Sequence, residues 1–249
     1  MTDGPIWKRP ETSAIGRPAE RSRAQITAAA ITLADAEGLD AVTMRRVASA
    51  MGTGPASLYR YVKTRDELLD LMIDAVAAEY RLTPPTPNPR ADGPPEEGSR
   101  AGESPEAEAA LGGSAEGDWL GGVVEVARQT RDLMGRHPWL TVAMPLRPTV
   151  GPHSLALVEH VLATLAGHPA SGATKLQAYA ILNGVIGLIA RAEHAGLGDR
   201  QAELTGYLRQ ITREGGHPHL AAALADGRGP DGFDDVVTRI MTGLLGPAA

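Results

Sequence analysis

The chain has 249 residues, 43% of them hydrophobic, which is enough for one large domain or a small one joined to a larger one. It has no cysteine, which excludes disulfides, thiolate nucleophiles and cysteine-ligated zinc. The formal net charge of -6 argues against a nucleic-acid partner only if it is spread evenly. It is not: residues 1–65 carry ten Lys or Arg against six Asp or Glu, a net +4, and the remainder carries fourteen against twenty-four, a net -10. A small basic head on an acidic body confines the attraction for phosphate to one end of the molecule. No unbroken run of about 18 apolar residues occurs, and MTDGPIWKRPETS offers no apolar stretch after its charges, so a soluble, cytoplasmic protein with no membrane partner is expected.

Residues 1–20 read as a flexible basic tail, in which Lys8, Arg9 and Arg17, continued by Arg21 and Arg23, can reach a minor groove or remain solvated. Apolar residues at spacings of three and four then predict helices over Ser22–Glu37, Thr43–Ala50, Pro55–Val62 and Thr64–Arg81. Gly38 is placed to end the first in a left-handed conformation, and Thr43 to cap the second through its hydroxyl. Thr64-Arg65-Asp66-Glu67 has the form of a capping box at the start of the fourth.

Residues 83–117 are rich in Pro, Gly, Ser and Glu with no aromatic side chain. Such a segment buries too little apolar surface to offset the entropy of ordering, so a disordered acidic insertion is expected. Beyond it, helices are predicted from Asp118 to Gly135, over Pro152–Ala166 and Gly172–Ala195, and over Arg200–Arg213 and Gly232–Leu245, with a short apolar piece WLTVAMP after the first. No strand pattern and no fixed repeat occur, so the fold class is all-α: a helix-turn-helix domain over 21–65, a connecting helix over 66–82, and a further helical domain over 118–249.

The functional signal is TMRRVASAMGTGPASLYRYVKTRDELL. Val47 and Ala48 face inward, Ala50-Met51-Gly52 turns the chain, and Leu58 anchors the next helix, leaving Ser57, Tyr59, Arg60 and Tyr61 to project into a major groove. A helix this short must be held by its neighbours.

From these residues, and above all LYRYVKTRDELLDLM, the chain resembles regulators of the tetracycline-repressor family over Ala24 to about Tyr80, and more loosely through RHPWL, GPHSLALVEHVL and FDDVVTRIMTGLL beyond. The resemblance implies a ligand-responsive, homodimeric repressor of double-stranded operator DNA. It places Thr43 and Arg45 near a phosphate and a base edge, and Pro55, Ala56 and Ser57 where bases are read. Arg45 is the strongest reader, because a guanidinium can grip guanine O6 and N7 together. Tyr59, Tyr61, Lys63 and Arg65 match positions that hold the sugar-phosphate backbone, and Arg60 suits either purpose.

The resemblance also implies a cavity for a small-molecule inducer, with Trp119, Arg128, His137, Trp139, Gln177, Asn183 and Arg191 as candidate polar lining. Asn183 stands out because an amide among Ile181, Leu182, Val185 and Ile186 needs a partner when buried. Arg81 stands where the tetracycline-binding branch has a histidine, so tetracycline with magnesium is not expected. Dimer packing is expected along Leu176, Ala180, Gly184 and Gly187, and along Val236, Ile240, Met241 and Leu244, with intrachain core as the rival reading.

No cofactor, metal or catalytic constellation emerges. GHPASGAT over 167–174 lacks the lysine of a phosphate-binding loop and follows a helix, and His217 and His219 lie in a Pro-containing turn without nearby carboxylates. The rival to a regulator is a helical enzyme or interaction module that kept the fold without reading DNA.

Overall fold

The computed structural model describes residues 6–9, 21–82, 119–146, 150–213, 215–225 and 232–246, so the insertion expected at 83–117 lies outside the described residues. Among them are eleven α-helices and no strand, as expected of an all-α chain. The head consists of α1 (Arg23–Glu37), α2 (Met44–Ala50) and α3 (Pro55–Leu58). Next comes α4 (Arg65–Ala77), followed by the body: α5 (Trp119–Arg136), α6 (Leu140–Leu146), α7 (Pro152–Thr164), α8 (Gly172–His194), α9 (Leu197–Arg213), α10 (Pro218–Ala225) and α11 (Phe233–Leu245).

Local chemistry sets the starts of the head helices. Ser22 and Gln25 form a reciprocal capping box on α1, and the Thr43 hydroxyl accepts the Arg46 amide at 3.2 Å to cap α2. Gly38 ends α1 at φ +83°, a backbone region that side chains other than glycine avoid. At the head's centre Ile26, Val47, Ala48, Leu58 and Leu68 are all removed from solvent, and α3 packs on α2 rather than standing free. Truncating Leu58 to Ala should cost about 2–5 kcal/mol.

Two expected helices come out shorter. The recognition helix is regular only to Leu58, and the chain then tightens through turns in which Leu58 O accepts from both Tyr61 and Val62. Helix α4 ends at Ala77 instead of Arg81, because Glu79 and Tyr80 shift to three-residue hydrogen bonds while their side chains are drawn to Arg136 and Thr130. Two helices were not expected: the short apolar piece WLTVAMP largely folds into α6, and PHLAAALA forms α10, opening on Pro218, whose missing N–H costs nothing at that position.

In the body, α8 packs against α5, α6, α7 and α11. Its apolar content is interrupted, yet an 18-residue window of α8 averages a hydropathy of 1.3, so by length and composition it is apolar enough to cross a membrane, which the sequence had not suggested. A core helix of a soluble protein has the same character. Helix α4 packs on α1 along one side and on α6 and α7 along the other, and so belongs to both head and body.

Candidate nucleic-acid interface and regulatory core

The turn between α2 and α3 is a Schellman closure. Gly52 takes φ +64°, its amide donates to Ser49 O at 3.0 Å, and the Thr53 amide reaches back to Ala48 O at 2.9 Å. Pro55 then opens α3 from Gly54, so the angle between the two helices is set by one left-handed glycine and one rigid φ.

Around this turn Arg45, Pro55, Ala56, Tyr59, Arg60 and Lys63 are exposed, whereas Ser57 and Tyr61 are half-buried. Tyr59 is 50% exposed and not folded onto α1; Tyr61 packs against the core instead. Arg45 and Arg60 have no hydrogen bond or ion pair among the described residues, while the adjacent Arg46 is held by Glu37 at 2.5 Å. The Thr43 hydroxyl is committed as a cap, so its role at a phosphate narrows to whatever the capped oxygen can still accept. Arg65 is also engaged: Nε donates to Val42 O at 2.8 Å and Nη2 to Leu39 O at 2.9 Å, tying α4 to the carbonyls that precede α2. It therefore braces the head, with at most three of its five N–H donors left for phosphate.

The expectation of a flexible tail fails at residues 6–9. Ile6 is buried, Trp7 packs on the core, and the Arg23 guanidinium collects three carbonyls, those of Ile6 at 3.2 Å, Arg9 at 2.8 Å and Tyr61 at 3.2 Å. Arg21 similarly holds Met51 O at 2.7 Å. These arginines satisfy backbone acceptors within the head, and Arg9 pairs with Glu67 at 2.6 Å; Arg17 lies outside the described residues. Glu67 completes its cap one residue earlier than the usual box, accepting the Lys63 amide at 2.8 Å while Thr64 accepts the Glu67 amide. Burial alone would raise its pKa, but the Arg9 and Lys63 contacts outweigh it and hold the carboxyl below its ordinary value.

The head meets the body through carboxylates. Asp35 of α1 accepts hydrogen bonds from His137 Nδ1 and Trp139 Nε1, both at 2.8 Å. Glu79, just past α4, lies 3.3 Å from the other nitrogen of His137 and also pairs with Arg136. In the last turn of α4, the buried Asp74 accepts the Ser154 amide at 2.8 Å and His153 Nδ1 at 2.9 Å, both from the first turn of α7.

The seven residues expected to line a ligand cavity are consequently not gathered into one site. His137 and Trp139 serve the head–body joint. Arg128 forms a two-pronged pair with Asp234 of α11, and Gln177 and Arg191 sit on the exposed side of α8. Trp119 is buried edge-on to His168, with ring centres 5.1 Å apart. Asn183 is half-buried with its amide bonded to the Tyr179 hydroxyl, but its carbonyl oxygen is sealed from solvent and has no hydrogen-bond partner among the described residues. Sequence reasoning passed over Tyr80, Thr130 and Tyr179. Tyr80 bonds Thr130 at 2.8 Å, and since Thr130 donates its own proton to Val126 O, Tyr80 is the donor. Burial raises the pKa of both tyrosines, so both phenols stay protonated at neutral pH. A tyrosine next to the expected end of the fourth helix, and another four residues before a polar amide, were the available signals.

A three-helix head with a tight glycine turn, exposed arginines and the exposed Tyr59 beside that turn, and a separate helical body define a helix-turn-helix DNA-binding regulator. The chain belongs to the tetR family of bacterial regulatory proteins: that family's N-terminal model matches residues 26–72, and the tetracyclin repressor-like C-terminal domain matches 111–244. Its relatives are regulators, not enzymes. It is 32% identical over 88% of its length to the HTH-type transcriptional repressor DrrR1 of Streptomyces coeruleorubidus, covering 76% of that protein, and 30% identical over 90% of its length to an HTH-type transcriptional regulator of Saccharopolyspora erythraea, covering 84% of it. Among solved structures it is similar to ActR of Streptomyces coelicolor, in complex with (S)-DNPA (27% identity, TM-score 0.67, 91% of this chain and 98% of that one) and with actinorhodin (26%, 0.67, 90% and 97%).

Proposed function

We propose that this regulator is a homodimeric repressor of a palindromic operator, released when a small molecule enters the body. The observation that carries this reading is the position of α4, packed on the DNA-binding head along one side and on the body along the other, so that a ligand in the body has a route to the operator. The ligand can lower operator affinity only by as much as it prefers the non-binding state, and DNA then opposes the ligand equally.

An unpartnered apolar stripe on α8 supports the dimer: Ile181 and Leu188 are exposed, Leu188 at 71%, with Ala180 and Gly184 beside them allowing close approach. Leu176 and Leu244 are exposed as well. Two residues expected in the dimer packing belong to the intrachain core instead, since Gly187 lies against Met134 and Met241 is fully buried.

The interior polar groups favour a ligand of mixed character. Asn183 offers a buried acceptor, and the Tyr80 oxygen, having donated its proton, still accepts, so an apolar molecule carrying O–H or N–H donors suits these groups. Actinorhodin, bound by the similar ActR, is the first probe to try.

Binding the purified chain to a random DNA library at two salt concentrations, and sequencing what is retained, tests the core of the proposal. An enriched inverted repeat is expected, and its release by a small molecule identifies the inducer. Salt-sensitive retention without enrichment, or no retention at low salt, overturns it in favour of an interaction module.

A further inference from the structure

We propose that Asp74 is the positioning residue that couples body to head, by capping α7 from α4. This rests on the ligand-responsive reading above and specifies where the response is transmitted.

Helix α7 begins Gly151-Pro152-His153-Ser154, and its own N-cap residue, a glycine, supplies no side chain to the free amides of the first turn. The cap comes from another helix: Asp74 Oδ1 accepts the Ser154 amide, and Oδ2 accepts His153 Nδ1. Asp74 is 2% exposed, and it is the one charged residue among the buried positions of α4. The carboxylate faces the positive end of the α7 dipole and accepts a hydrogen bond from the imidazole, so moving α4 away from α7 uncovers both an uncapped helix and a buried carboxylate.

The fit leaves no slack. Gly151 has an ordinary φ of -73°, so its backbone does not call for glycine, but a Cβ there would overlap the Asp74 carboxylate. Glycine is present so that the carboxylate can reach the amides.

Placement along α4 turns this contact into a lever. The far end of α4 is held in the body by Glu79 on Arg136 and Tyr80 on Thr130, and the near end, Arg65, follows the recognition segment. Asp74 stands three residues before the end of α4 and Arg65 twelve, ~4.5 Å and ~18 Å at about 1.5 Å of rise per residue, so a shift of the first turn of α7 is enlarged severalfold at the head.

The test measures the separation of head and body within one chain. The protein has no cysteine, so spin labels can be placed at A28C on α1 and D132C on α5, both exposed, with labelled protein diluted in unlabelled protein so that only intrachain distances are read. Three variants are compared: G151A, which displaces the carboxylate from the α7 side; D74A, which removes it; and D74N, whose amide oxygen can still accept the Ser154 amide. Expected are a broadened or shifted distance in G151A and D74A, a distribution like the parent's in D74N, and at least a tenfold loss of affinity for the selected operator in the first two. Unchanged distances in G151A and D74A, with only a lowered Tm, would make Asp74 a structural cap and overturn the proposal. Failure of the parent to select an operator sinks the repressor reading, whereas the distance measurement still decides the coupling.

Discussion

The indole N–H of Trp139 is bonded to the carboxylate of Asp35 at 2.8 Å, across 104 residues of sequence, so a body residue reads the orientation of α1 directly. His137 shares the same oxygen. Because Asp35 is partly exposed, W139F should cost only about 1 kcal/mol in a urea melt. D35L strands the buried Trp139 donor, leaves His137 with Glu79 alone, and should cost at least twice as much. Equal, negligible effects would show the joint to be incidental.

Arg45 and Tyr59 should fail in different ways. R45A is expected to relax preference at one base position by about 1–3 kcal/mol, and Y59F to weaken all sequences alike. Binding to the selected operator and its single-base variants separates them, and a base-specific effect of Y59F would contradict the assignment.

Acid should act on the Arg9–Glu67 contact. Glu67 has a lowered pKa in the folded chain, so its contribution is present above its ordinary value of 4.5 and is lost as the pH falls through the folded value. E67Q should be less stable than the parent near neutrality, and denaturant midpoints of the two should converge on acidification below about pH 4.5. A gap that widens in acid would refute the assigned sign.

Substituting Leu188 with Glu places a charge at the most exposed apolar position of α8. The expected result is a shift to monomer in sedimentation with little change in Tm, accompanied by loss of operator binding. A variant that stays dimeric places the interface elsewhere.

What the sequence made legible was local. Caps at Thr43 and Thr64, the glycine turn and the inward positions of Val47, Ala48 and Leu58 follow from spacing and side-chain type within a few residues, and the structure has them. What it hid was the choice of partner. Arg65 has the look of a phosphate ligand until Leu39 and Val42 are seen to offer carbonyls, and Arg128 that of a ligand contact until Asp234 arrives from 106 residues away. Such pairings are decided by how helices pack, and no periodicity encodes them.

The Asp35 joint also bears on engineering. Heads of such regulators look interchangeable, yet a chimera that keeps this body and takes α1 from a protein lacking an acid at the position of Asp35 would leave the enclosed Trp139 with its donor facing nothing and His137 with Glu79 alone. Transplanting this body onto a new operator specificity therefore means carrying Asp35 and Asp74 along with it, so the useful cut runs through the recognition surface and not through the linker between helices α4 and α5.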